Sequence, residues 1–245
     1  MKFREEFKLT MRNIPGIVTS IFVLSVVLMN ILANKSIINH EYVSVTAGIA
    51  LSWVSFLCMD CVCKHFGTRA ATILNAFAMI VSLLSSVLIA VVLLVPGTWA
   101  SSFSYTDVAI QAAVNNSLNA TLSSTWYVVI GSSFAMLLGG TANSIVSKFM
   151  EKHVNPHSYS GFTIRSAVST SVGQLVDNLV FATFVSYTFF GWTIKQVIGC
   201  SIVGMILELV IEVVFSPVGY RVVRRWEKDN VGSEYKRLVS RKEVK

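Results

Sequence analysis

Gln174, Asp177 and Asn178 stand inside an otherwise apolar run, and their types and spacing are those of a binding surface. Gln174 and Asp177 are three apart and share a helix face, while Asn178 lies on the i+4 track of Gln174. Together they offer one carboxylate, two amide donor groups and two amide acceptors along one side. Such a set suits a flat heterocycle with mixed donors and acceptors, such as a purine. A carboxylate accepts from adjacent ring and exocyclic N–H groups of a guanine-like edge, and an amide bonds bidentately, as it does to adenine. The competing reading is polar contact between helices with no ligand involved. Asn30, Asn34 and Asn143 fit either purpose, and Trp53 offers a stacking surface.

The element that must carry the cluster runs from Arg165 to Phe190. At about 1.5 Å per residue it is long enough to cross a hydrocarbon core of about 30 Å as a helix. A carboxylate at that depth costs about 2.5–3.5 kcal/mol on insertion scales, so it faces a bundle interior or an aqueous cavity rather than lipid. Ser166, Ala167, Ser169, Ser171 and Gly173 make the first half of the run almost wholly small, which lets neighbouring helices approach closely.

Composition sets the wider frame. Of 245 residues 53% are hydrophobic and 13% charged, against roughly 25% charged in soluble domains. The chain therefore reads as an all-α integral membrane protein. The expected organisation is a basic N-terminal segment over 1–13, a six-helix transmembrane domain over 14–218, and a basic tail over 219–245. The spans fall at about 14–33, 43–63, 70–95, 126–147, 165–190 and 197–218, with Tyr105 to Asn116 as a short surface helix in the longest link.

Six spans place both termini on one side. Lys2, Arg4, Lys8, Arg12, Lys64, Arg69, Lys148, Lys152, Arg165 and nine basic residues of the tail lie on that side, against Lys35 and Lys195 on the other. Lysine and arginine are retained in the cytoplasm, so both termini are expected there. The net charge of +7 thus reads as a topology signal plus attraction to anionic lipid. No basic-aromatic module for nucleic acid is visible. Glu5 and Glu6 interrupt the first basic segment, and no small-residue cleavage site follows the first apolar run, so that segment reads as retained.

Other chemistries find little support. Cys58 and Cys61 have CxxC spacing, but the second half of a metal or redox site is lacking, and small apolar filler is the better reading. His153 and His157 are separated by Pro156, which breaks the helix a metal pair would need. There is no phosphate-binding Gly-Lys-Ser/Thr loop, no HExxH and no recognisable Ser-His-Asp set. Asn115 and Asn119 lie in N-x-S/T sequons, which matter only on a eukaryotic secretory route. Neither a catalytic residue nor a cofactor is expected.

Asp60, Glu208 and Glu212 also need partners. Glu208 and Glu212 are four apart on one helix and repel if both are ionised, so at least one is protonated or paired. Lys64, Arg69 and Arg165 are the cations at hand.

RSAVSTSVGQLVDNLVF, with NILANK, MDCVCKHFG and IEVVFSPVGYRVV, resembles the bacterial queuosine precursor transporter family, also called the VUT family, over roughly residues 28–226. The resemblance implies a six-span inner-membrane importer of 7-deazapurine precursors of a tRNA nucleoside. It carries over Asn34 and Lys35, Asp60 and Gly67, Asn143, Ser169, Gly173, Gln174, Asp177 and Asn178, then Glu212 and Pro217. Two positions depart from the family pattern: Lys64, where glutamate is frequent, and Glu208, where lysine is frequent. The exchange of signs implies an ion pair between Lys64 and Glu208.

The expected binding set is Asp177, with Gln174 and Asn178 as amide partners, then Asn34, Asp60, Asn143 and Glu212, with Trp53 for stacking. The implied partners are a 7-deazapurine base, the lipid bilayer, and a second copy of the chain or a separate energising subunit. The alternatives are the membrane subunit of an ATP-driven vitamin-type transporter, and a membrane scaffold whose polar residues only join helices.

Overall fold

The computed structural model describes residues 3–99, 107–154 and 158–243, with the side chains of Phe3, Phe162, Glu212 and residues 239–243 outside that description. Helix α1 (Phe3–Asn13) meets α2 (Gly16–Leu32) at 106°. The break falls at Pro15, which lacks an N–H and disfavours helical backbone at the residue before it. A hairpin of β1 (Ser36–Asn39) and β2 (Ser44–Thr46) precedes α3 (Ile49–Phe66). The second long helix thus begins six residues later than Val43, because Val43 to Thr46 alternates β-branched and small residues that pair back onto β1.

Helix α4 (Thr68–Leu93) follows directly, the turn being made by Gly67 at φ 90°, which other residues rarely adopt. Helix α5 (Val108–Ser123) starts under an Asp107 cap and leads into α6 (Thr125–Glu151). The two sequon asparagines sit on α5 with their side-chain oxygens engaged by Trp99: Asn115 accepts from its backbone N–H, and Asn119 from its indole at 2.7 Å. Helix α7 (Tyr159–Phe181) is capped by Ser158 and passes into a π-helical segment, Ala182–Tyr187. Helix α8 (Ile194–Lys228) opens on a capping box of Thr193 and Gln196. It does not stop near Pro217 but continues through it to Lys228, and α9 (Ser233–Glu243) folds back beyond.

Among the described residues five helical stretches are long and apolar enough to cross a membrane, and a sixth if the bent pair α1 and α2 counts as one span. The protein is a multi-pass helical membrane protein. Helix α7 packs against α6 and α8, and α3 against α2, α4 and α8. Gly139 of α6 and Gly173 of α7 set the closest approach. A Cβ on Gly139 would come within 2.7 Å of the Gly173 carbonyl, and one on Gly173 within 2.8 Å of Asn143 Cβ. At the far end of α3, His65 and Phe66 pack on Trp226 of α8, and Phe66 meets Tyr235 of α9 edge-on. Arg69 and the buried Glu6 pair beside them, fastening α1 to α4.

Candidate functional site

The close approach of α6 and α7 fixes where Asp177 stands. Its Cβ lies 2.8 Å from the position a Gly139 side chain would take, so only glycine there lets Asp177 keep its place. Asp177 borders a cavity of about 70 Å³ between α2, α3, α7 and α8, to which α6 contributes Ser132. A water needs about 10–15 Å³ of such space, so several fit. Met29, Asn30, Ile49, Ser52, Ser132, Asp177, Asn178, Phe181, Ser186, Trp192, Gly204 and Glu208 are among its walls.

Asp177 and Glu208 bring two carboxylates to this cavity from neighbouring helices. Among the described residues no hydrogen bond reaches the Asp177 carboxylate. Glu208 is buried and accepts from the Ser52 hydroxyl and from Asn178 Nδ2 at 3.4 Å. Gly204 gives Asn178 its room, since a Cβ there would fall 2.8 Å from Nδ2. Ser186, in the π-helical segment, is fully buried, and its hydroxyl has no partner among the described residues. Widened π turns recur at functional sites because they re-aim side chains. Asn30 is held by its amide donating to Ser82 at 2.8 Å. The walls thus combine carboxylate and hydroxyl groups with the aromatic side chains of Phe181 and Trp192.

The sequence-predicted residues divide around this cavity. Asp177 and Asn178 line it. Gln174 does not; it is fully buried one turn earlier on α7, and neither end of its amide has a partner among the described residues. Asn34 lines a separate polar cavity of about 300 Å³ with Asn39 and Gln196, and Trp192 borders both cavities. Its amide donates to Ile31 O and Thr125 Oγ1 at 3.2 and 3.4 Å. Asn143 is buried on α6 beside a third cavity of about 260 Å³, its side-chain oxygen without a partner among the described residues. Trp53 stacks on Phe215 at 4.4 Å and donates to Ala50 O at 2.9 Å, outside the walls of the α2/α3/α7/α8 cavity. Glu212 belongs to α8, with its side chain outside the described residues.

The expected ion pair between Lys64 and Glu208 is corrected by the structure. Lys64 pairs with Asp60, one turn back on α3, and Ser166 of α7 donates to the same carboxylate at 2.6 Å. Glu208 instead meets Ser52, twelve residues before Lys64 and so about 18 Å away along α3, beyond the reach of a lysine. Asp60 belongs to this second polar knot, about 12 Å from Ser52 along the helix.

Among the residues not anticipated as cavity walls are Glu208, Ser52, Ser186, Phe181 and Trp192. The one available signal was Glu208 itself, a carboxylate deep in an apolar run. A family model described as "Putative vitamin uptake transporter" matches residues 46–222, more than half of the chain. No curated protein and no solved structure matches it.

Proposed function

Because the chain belongs to the vitamin uptake transporter family, we propose that it imports 7-deazaguanine-type precursors of queuosine across a bacterial inner membrane, with both termini in the cytoplasm. The observation that carries this reading is the Asp177 carboxylate: it opens on a cavity between four helices, and no hydrogen bond from the described residues reaches it. A carboxylate in that position is matched by adjacent ring and exocyclic N–H groups of a guanine-like edge. Phe181 and Trp192 offer faces for the ring, and the unpartnered Ser186 hydroxyl offers one more polar contact. Access alternates between the two sides of the membrane by movement of the helices around this cavity.

The test uses a bacterial strain unable to make the precursors and lacking other uptake, supplied with precursor from outside. Expression of the full chain is expected to restore queuosine to tRNA. A strain whose tRNA stays unmodified, although the protein is in the membrane, contradicts the proposal.

A further inference from the structure

We infer that the cavity of about 260 Å³ between α3, α4 and α6 is a lipid site, holding the headgroup of an anionic phospholipid that carries hydroxyls, as phosphatidylglycerol does. Its walls include Thr68, Thr72 and Asn75 of α4 with Asn143 and Lys148 of α6, and no lining residue is acidic. The first turn of α4 enters it at Thr68 and Ala71, and no side chain caps that turn, the capping residue being Gly67. Uncapped N–H groups and the positive end of the helix dipole favour a phosphate there. Lys148 is exposed and makes no ion pair among the described residues. Around Cys63, another wall residue, the charged side chains in electrostatic range are Lys64, Lys148 and Arg165 against Asp60. The surroundings are net positive.

Charge alone does not specify the ligand, because the carboxamides also need donors. Asn75 and Asn143 are 4% and 7% exposed, and the side-chain oxygen of each lacks a partner among the described residues. A phosphodiester offers only acceptors, whereas a glycerol headgroup adds two hydroxyl donors. An ethanolamine headgroup also donates, but its ammonium would stand among cations. Leu137 and Ile145, on the α6 wall of the same cavity, are apolar and exposed. On a membrane-spanning helix such side chains meet acyl chains, so the ligand comes from the lipid. Basic pockets between helices at the end of a span hold anionic headgroups in this way.

Native mass spectrometry of the full chain, purified in detergent and titrated with dioleoylphosphatidylglycerol or dioleoylphosphatidylethanolamine, tests the inference. The acyl chains are the same, so the difference reads the headgroup alone. The wild type is expected to bind the glycerol lipid about fivefold or more tightly than the ethanolamine lipid. Lys148→Gln is expected to lower affinity for the glycerol lipid about fivefold, as loss of one lysine near a membrane surface predicts. Asn143→Leu is expected to narrow the preference between the two lipids. Lys195→Gln, at the end of the bundle where α6 begins, is expected to change neither value. Equal binding of both lipids by the wild type overturns the inference, as does a preference that survives Lys148→Gln or Asn143→Leu. Displacement of the glycerol lipid by millimolar inorganic phosphate would mark a site for soluble anions and overturn it also.

Discussion

Gln174 pays a larger desolvation cost than its neighbours in the polar cluster. It is fully buried, with both ends of its amide without partners among the described residues, at about 1–3 kcal/mol for each unmet group. Gln174→Met, close in volume, is expected to stabilise the protein by about 1–3 kcal/mol in thermal unfolding in detergent, and to lower precursor uptake if the amide serves transport. Unchanged stability would mean that the amide is already satisfied, by water. Asp177 was legible in the sequence because a carboxylate inside an apolar run demands a partner. The separation of Gln174 from it was not. Both residues share a face of α7, but Gln174 is one turn nearer the crossing where Gly139 and Gly173 close the gap between helices. Spacing along one helix does not reveal where its neighbour stands. The same blindness misassigned Lys64, whose Asp60 partner was four residues away in plain view.

At the scale of elements, glycine decides how near α6 comes to α7. A methyl group on Gly173 would meet Asn143 Cβ at 2.8 Å, so Gly173→Ala must push the helices apart. The expected loss is about 1–3 kcal/mol of stability, together with weaker precursor uptake as Asp177 moves. Gly16→Ala, where nothing lies within 4 Å, is the matched control and is expected to keep or slightly raise stability. Equal melting temperatures for the two variants would contradict the role given to the crossing. The long helices were readable because lipid requires continuous apolar runs. The hairpin before α3 and the π-helical segment were not. The hairpin is too short to separate from the apolar run that follows it, and the π-helical segment has the composition of the span it continues, its geometry being selected where it packs on α6 and α8. Pro217 misled for a related reason: it costs α8 one backbone hydrogen bond, but the packing of α8 on α3, including Cys61 Sγ at 3.9 Å from Gly219 O, carries the helix through.

For the molecule as a whole, the polar groups form two tiers. Asp60, Lys64 and Ser166 tie α3 to α7 through an internal ion pair. Asp177, Asn178 and Glu208 instead surround open space. On the proposed function this division sets cavity-lining groups apart from polar groups engaged between helices, and Asp177 is the residue on which that proposal turns. The direct measurement is uptake of labelled 7-deazaguanine precursor by cells carrying the wild type or Asp177→Asn, with the amount of each protein in the membrane determined in parallel. The account predicts that Asp177→Asn reaches the membrane as the wild type does, with uptake reduced by about tenfold or more, as expected for loss of a charge-assisted hydrogen bond. Wild-type uptake by Asp177→Asn would contradict it.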